Sequence, residues 1–209
     1  MTIEAASGRR RRRTPDVLRQ EALDAAHRVL VQGGPAAVTL QAIAGEMNLA
    51  HGTLTHHFGT IANLQAMLVD RLVAEILDAV RTGVSDLRRG LIDEVALIDM
   101  IFDRFEESGA GRLFGWLAAQ RDPHLASLFA QFRSLLVDLE APARGRAVLG
   151  AAELPGVIAR IVNAAFAASL IGDPLGAALG LPARFTRDGL AADLRAERRM
   201  ARPPRIVRS

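Results

Sequence analysis

The sequence predicts an all-helical protein, and three observations carry this prediction. Apolar residues recur at helical spacing along the chain, and no stretch alternates apolar and polar residues as a half-buried strand would. Glycine and proline interrupt the pattern at intervals that suit the ends of helices. The chain has 209 residues, of which 50% are hydrophobic and 23% charged. That is the balance of a globular protein with a buried core.

Three short helices are predicted near the N-terminus. The first spans about four turns between Thr14, its N-cap, and a stop at Gly33-Gly34-Pro35. The second begins after Thr39 and ends near Asn48. The third is very short, from about residue 50 to 57.

A long helix follows and joins this region to the rest of the chain. It begins at Ile61 and is expected to end near residue 82, with leucines and other large apolar residues at four-residue spacing. The next helices are predicted near 91–107, 111–120, 122–140 and 154–171, with a last amphipathic turn or two around Phe185, Leu190 and Leu194.

The charge is concentrated at the two ends of the chain. All 26 basic residues are arginine; five lie at 9–13 and five more between 198 and 208. Residues 14–197 carry a net charge of −6, although the whole chain carries +3. Such ends would attract a polyanion by local counterion release, or they are simply solvated tails.

Several functions are excluded or disfavoured by what the sequence lacks. Without cysteine there is no disulfide, thiolate metal site or cysteine nucleophile. His51 and His56 lie five residues apart with no carboxylate to complete a ligand set, so no metal site is predicted. No phosphate loop, zinc-helix motif or serine elbow is present, so we expect neither an enzyme nor a cofactor.

No membrane-spanning or export segment is predicted, and a cytoplasmic location is expected. The most apolar stretch, residues 154–171, contains Arg160 and Asn163 and is interpreted as a core helix. The N-terminal arginines are followed by Thr14-Pro15-Asp16, where a signal peptide would need an apolar region.

The second and third helices form a candidate helix-turn-helix. Ala44 is small where the two helices must cross, and Asn48 lies where a left-handed backbone is expected. Leu49 and Leu54 are predicted to face inward. The residues facing outward are short or flat donors that could enter a major groove: His51, Gly52, Thr53, Thr55 and His56.

In these residues the sequence resembles the tetracycline-repressor (tetR) family. The resemblance lies in Val38–Ala44, Leu49–Leu54, His57-Phe58 and Leu64, and it covers roughly residues 15–70. It implies an all-helical homodimer that binds a palindromic operator in double-stranded DNA through its N-terminal domain. It also implies a divergent C-terminal domain that binds a small-molecule effector.

Four positions depart from the family pattern. Asn48 replaces a glycine in the turn, and Ala50 replaces the serine that caps the recognition helix. Thr55 and Ile61 replace a tyrosine and a lysine that commonly contact phosphates in the family. The arginines at 9–13 are placed to replace these contacts along the DNA backbone or in a minor groove.

The predicted organisation is a disordered basic arm at 1–13, a DNA-binding domain at 14–60, a helical ligand-binding and dimerisation domain at 61–197, and a basic tail at 198–209. The DNA-contacting candidates are Arg9, Arg10, Arg11, Arg12, Arg13, Thr39, Gln41, Ala50, His51, Gly52, Thr53, Thr55, His56 and His57. His51 and His56 are alternatively solvated surface residues, and His27 is interpreted as an ordinary residue of the first helix.

The C-terminal helices are predicted to enclose a ligand cavity beside the long helix. Its candidate lining residues are bulky or polar residues in apolar helices, and they are alternatively plain core: Met100, Phe105, Phe114, Trp116, Leu117 and Gln120. Because tyrosine is absent and polar side chains are few, we expect an apolar or amphipathic ligand. The family pairs its last two long helices across a two-fold axis, and Ala164, Ala165, Ala167 and Ala168 are small enough for close approach.

The predicted mechanism is a population shift in which the ligand favours a position of the 61–82 helix that moves the recognition helices out of register. The alternative is a helical dimer of the same fold that binds a small molecule or protein but has lost operator binding. Thr55 and Ile61 support this alternative.

Overall fold

The computed structural model describes residues 14–140 and 154–200, and every regular element in these two ranges is helical, as predicted. Predictions for the arginines at 9–13 and for the tail beyond residue 200 lie outside the described residues. The helices are α1 Pro15–Gly33, α2 Leu40–Glu46, α3 His51–Phe58, α4 Ile61–Arg89, α5 Glu94–Glu107, α6 Ala110–Ala119, α7 His124–Glu140, α8 Leu154–Ala167, α9 Asp173–Ala178 and α10 Phe185–Met200. A single π-helical turn, Ala168–Gly172, joins α8 to α9.

Side chains cap the starts of α1, α2, α4 and α5. The Thr14 hydroxyl accepts a hydrogen bond from the Val17 amide, and Thr39 and Thr60 cap α2 and α4 in the same way. The Asp93 carboxylate accepts the Ala96 amide at 2.9 Å and caps α5. Each cap satisfies a backbone N–H that has no partner inside its helix. The caps predicted at Thr14 and Thr39 are confirmed.

Helix α4 is the central element of the fold. Its 29 residues span about 43 Å. It packs against α1, α3, α5, α6 and α7, and α7 contacts it from Asp70 to Arg88, while α8 and α10 pack against α5. The buried apolar side chains of all these helices form one continuous core.

Two helix lengths differ from the prediction. Helix α4 continues past residue 82 because Gly83 lies where α4 crosses α5; a Cβ there would come within 2.5 Å of Leu97 and Met100. The helix ends instead at Gly90, which has a left-handed backbone with φ 73°. Helix α10 has 16 residues rather than one or two turns. Ion pairs from Arg184 and Arg187 to the acidic face of α5 hold it there.

The interpretation of residues 154–171 as a core helix is wrong for the single chain. The window Pro155–Gly172 is, within the described ranges, the one helix long and apolar enough to cross a membrane by length and composition, and 17% of it is buried. Only one side, including Val157, Ile161 and Ala165, packs into the core. Four large apolar side chains of the π turn, α9 and the loop after it are at least 40% exposed: Leu170, Ile171, Leu175 and Leu179.

Candidate nucleic-acid interface

Helices α2 and α3 are joined by a tight turn of the predicted kind. Asn48 adopts a left-handed backbone with φ 52°, and the Leu49 amide donates back to the Ala44 carbonyl at 2.9 Å. Ala44 is 3% exposed, so the helices cross where the side chain is small. Because asparagine tolerates a left-handed backbone better than most residues, the turn forms without glycine.

Helix α3 is fixed to the protein by one side and open on the other. Leu54 is fully buried and Phe58 is 5% exposed, and both insert between α1, α2 and α4. Of the predicted DNA contacts on and before α3, five are exposed and two, Thr53 and His57, are half-buried. The exposed five are Ala50, His51, Gly52, Thr55 and His56; Thr39 and Gln41 at the start of α2 are also exposed.

The outward face of α3 has three local features. The Thr55 hydroxyl donates to the His51 carbonyl at 3.2 Å, so this hydrogen is used within the helix. The imidazole rings of His56 and His57 meet edge to face with centroids 5.5 Å apart. A Cβ added to Gly52 would have no heavy atom within 4 Å, so the protein itself leaves the space above Gly52 open.

The helices that hold this face carry no excess of positive charge. Residues 14–60 contain two arginines against four carboxylates, a net charge of −2 with histidine neutral. Glu46, the acidic residue nearest the turn, is paired with Arg28 at 2.8 Å. The net charge of residues 14–60 therefore supplies no long-range attraction to a polyanion. The predicted source, the arginines at 9–13, is outside the described residues.

Hydrogen bonds connect the helix-turn-helix to the C-terminal helices. The His27 Nε2 atom lies 3.0 Å from the Ser108 carbonyl oxygen, at the end of α5. The Arg112 guanidinium on α6 donates to the Val31 carbonyl at 3.0 Å. On α4, the buried Gln65 amide donates to the Val38 carbonyl at 3.2 Å. The sequence predicts His27 only as an ordinary residue of α1, because the periodicity of one helix cannot indicate its contact with residue 108.

The six candidate ligand residues are placed mostly in the core between α4, α5 and α6. Phe105 is 1% exposed and Leu117 3%, and the Phe105 and Phe114 rings pack edge to face with centroids 6.3 Å apart. Met100 and Trp116 are half-buried against the same core, and Gln120 is exposed at the end of α6. Their role in ligand binding stays a prediction.

A cavity of about 40 Å³ lies instead between the C-terminal half of α4, α5 and α8. None of the six candidates lines it. Nine of its ten lining residues are aliphatic and the tenth is Arg88: Val80, Val84, Leu87, Arg88, Leu97, Ile101, Val157, Ile158, Ile161 and Val162. The sequence signal that could have located this cavity is Arg88, a cation eight residues after Val80 on the apolar stripe of α4.

Comparison with known protein sequences gives two findings. Residues 22–66 match the family model described as bacterial regulatory proteins, tetR family. None of the curated protein sequences matches the chain.

Solved structures with the same fold cover most of the chain. The multidrug binding protein EbrR, in complex with imidazole, is 22% identical with a TM-score of 0.59, over 84% of this chain and 93% of its own. A putative transcriptional regulator from Streptomyces coelicolor is 18% identical with a TM-score of 0.57, over 86% and 97%. A transcriptional regulator from Rhodococcus sp. Rha1 is 16% identical with a TM-score of 0.55, over 85% and 94%. At these identities the likeness shows the fold alone.

Proposed function

We propose that this chain, which belongs to the tetR family of bacterial regulatory proteins, is a repressor that binds a palindromic operator as a homodimer and leaves it when a small molecule binds its C-terminal helices. Its class, a DNA-binding transcription regulator with a helix-turn-helix, follows from the family. The proposed place of action is the cytoplasm.

The observation that carries the DNA contact is the open outer face of α3. Its inner side is anchored by Leu54 and Phe58, and the remaining side chains are short enough for the helix to approach base edges closely. His51 and Thr53 are the proposed donors to bases at the N-terminal end of α3, and His57 is the proposed phosphate contact. The arginines at 9–13 would supply the positive charge that residues 14–60 lack.

The proposed dimer uses the exposed apolar surface of α8, the π turn and α9. Such an apolar surface is rarely exposed in a soluble monomer. In a two-fold symmetric dimer, the apolar surface of each chain would be covered by that of its partner. The exposed side chains include Leu170, Ile171 and Leu175, and small residues such as Ala167 allow close helix approach. A dimer would also present two α3 helices to half-sites about 34–36 Å apart.

The proposed ligand response acts through α4. About 36 Å separate Leu64, beside α3, from Arg88, beside the cavity, at 1.5 Å per residue. A tilt of α4 by about 5° would therefore move one end by about 3 Å relative to the other, enough to take one recognition helix out of its groove. The neighbour EbrR is described as a multidrug binding protein in complex with imidazole, which supports small-molecule binding by this fold.

The experiment that tests the DNA proposal is selection of bound sequences from random duplex DNA, followed by fluorescence anisotropy across a salt series. We expect a palindrome. The variant Gly52→Ala should lower operator affinity by about 10-fold or more, because the methyl group blocks close approach without touching the protein. The matched control is Gly189→Ala on α10, where an added Cβ also meets nothing within 4 Å. Equal affinity for all three proteins would contradict the proposed use of α3.

A second measurement tests the arm. Deletion of residues 1–13 should reduce the slope of log affinity against log salt by up to about 4.5 per chain, since the segment holds five arginines and each arginine–phosphate contact contributes about 0.9. The preferred sequence should remain, because phosphate contacts position the protein but do not specify bases.

A second candidate function is a dimer of this fold that binds a ligand but not an operator. It is favoured by Thr55 and Ile61 at two positions where the family commonly contacts phosphate, and by the −2 charge of residues 14–60. The same selection decides between the two. A chain of this second kind would enrich no sequence and would show a salt slope near zero.

A further inference from the structure

The cavity between α4, α5 and α8 has an uneven chemical character. Its walls are aliphatic except at one end, where Arg88 lies in the last turn of α4. Val80, Val84 and Arg88 follow one another at four-residue spacing and so share one face of α4. The cavity therefore has an apolar body and a single cationic end.

Arg88 has donors to spare. Its Nη2 atom donates to the Leu139 carbonyl oxygen at 2.5 Å, near the end of α7. Among residues 14–140 and 154–200, no carboxylate lies within ion-pair distance of Arg88, whereas the adjacent Arg89 pairs with Asp86. A guanidinium stays charged at any physiological pH and presents five N–H donors in a planar fork, which suits the two oxygens of a carboxylate.

We propose that the ligand is an amphipathic carboxylate whose alkyl chain lies among the aliphatic residues and whose head group pairs with Arg88. This inference deepens the proposed function and rests on it for the regulatory consequence, but the binding itself does not depend on DNA. A cationic ligand is disfavoured, since its charge would be desolvated beside a guanidinium. A neutral alkane-like ligand would leave Arg88 unused.

The spacing of the lining residues along α4 sets the size of the ligand. Val80 and Arg88 are about 12 Å apart along α4 at 1.5 Å per residue. An extended alkyl chain advances by about 1.3 Å for each C–C bond of about 1.5 Å, so about eight to ten carbons span this distance. Decanoate is accordingly the probe of choice.

Binding must also change the shape of the protein. A volume of about 40 Å³ is far below the roughly 300–1,000 Å³ of ordinary ligand pockets, so the alkyl chain has to separate α8 and α5 from α4. The carboxylate would also compete with the Leu139 carbonyl for Arg88 and so loosen the contact between α4 and the end of α7. Both changes act on the half of α4 remote from α3.

The test is isothermal titration of the full chain, without DNA, with decanoate and with decanol, each below its aggregation concentration. We expect decanoate to bind at least 10-fold more tightly than decanol, because a charge-assisted hydrogen bond to the half-buried Arg88 guanidinium is lost in the alcohol. Arg88→Gln should remove this preference. Arg89→Gln is the matched control and should keep it, since Arg89 is exposed and pairs with Asp86.

Two further measurements keep the result interpretable. Arg88→Lys keeps the charge and should retain part of the preference if Arg88→Gln fails to fold. Val84→Phe fills the cavity and should weaken both ligands together. Equal binding of decanoate and decanol, or an unchanged preference in Arg88→Gln, would overturn the proposal.

Failure of this inference is distinguishable from failure of the proposed function. If the chain binds an operator, but decanoate gives no heat of binding and does not change operator affinity, the carboxylate-ligand proposal is wrong and the DNA-binding proposal is unaffected. If decanoate binds but no DNA sequence is preferred, the DNA-binding proposal is wrong and the carboxylate-ligand proposal is unaffected.

Discussion

Helix α6 lies very close to the π turn after α8 at Gly111, so adding one methyl group there should lower the stability of the protein. A Cβ built on Gly111 would lie 1.8 Å from the Ser169 Oγ and 2.9 Å from the Ser169 Cβ, in the π turn after α8. The Ser169 hydroxyl donates to the Phe166 carbonyl at 2.7 Å. Rotation of Ser169 would relieve the first contact and break this hydrogen bond. The second contact can be relieved only if α6 moves away.

The expected cost of Gly111→Ala follows from these contacts. Overpacking a close-packed site costs about 1–3 kcal/mol, and loss of the serine hydrogen bond adds about 1 kcal/mol. The higher helix propensity of alanine returns about 1 kcal/mol. The free energy of unfolding should thus fall by about 1–3 kcal/mol, which for a chain of this length lowers the melting temperature by about 2–4 °C per kcal/mol.

The assay is urea unfolding of a double-mutant cycle with Ser169→Gly. Without the serine side chain the clash disappears, so Gly111→Ala should become neutral or stabilising, and the coupling between the two changes should reach at least about 1 kcal/mol. Gly45→Ala in α2 is the control, since an added Cβ there meets nothing within 4 Å and should stabilise the protein. If Gly111→Ala leaves the stability of the parent chain unchanged, the close crossing deduced here does not exist.

Three further changes have expected outcomes. The start of α3 has no side-chain cap, and its Thr53 amide donates only to the Ala50 carbonyl at 2.9 Å. Ala50→Ser places a hydroxyl within reach of the Gly52 and Thr53 amides and should raise the unfolding free energy in urea by about 0.5–2 kcal/mol; no gain would mean that the serine does not cap α3. His27→Ala removes the hydrogen bond to the Ser108 carbonyl and should cost about 1 kcal/mol of stability and shrink the ligand-induced change in operator affinity, measured by anisotropy; a full response would show that this contact transmits nothing. The pKa of Asp93 is lowered, chiefly because the Ala96 amide hydrogen-bonds to its carboxylate, with Arg195 contributing. A lowered pKa stabilises the fold at pH values above the ordinary aspartate pKa, and the gain is lost as pH falls through the folded pKa. The stability advantage over Asp93→Asn should therefore be present at pH 7 and disappear in acid, below the ordinary aspartate range; an advantage that grew in acid would contradict a lowered pKa.

The N-terminal helices could be predicted from the sequence because their signals are local. Thr14 and Thr39 are caps whose hydroxyls reach amides three residues away, and Asn48 permits the left-handed turn by itself. The inward side of α3 follows from the spacing of Leu54 and Phe58. Each of these features is decided within a few residues, so the chain alone specifies it.

The C-terminal helices could be predicted only in part because their limits depend on neighbours. Gly83 looks like a helix end in the sequence, yet it is the small residue that lets α5 approach α4. The bulky residues Phe105 and Phe114 look suited to line a cavity, yet they fill the space between α5 and α6 with each other. A cavity is volume left over by several helices, so residue size along one helix does not locate it.

The contacts of α1 favour one route by which the proposed ligand signal reaches α3. Helix α1 is tied to the end of α5 by His27 and to α6 by Arg112, and it is tied to α4 by the ion pair between Asp24 and Arg71. If α4 tilts relative to α6, these two attachments pull α1 in different directions, and α1 must either follow one helix or lose contact with the other. Because α1 buries Ala22, Ala25 and Ala26 in the same core as Leu54 of α3, its displacement moves the recognition helix with it. The coupling between cavity and operator should therefore depend on both attachments of α1, and weakening either one should reduce the ligand response more than it reduces operator affinity without ligand.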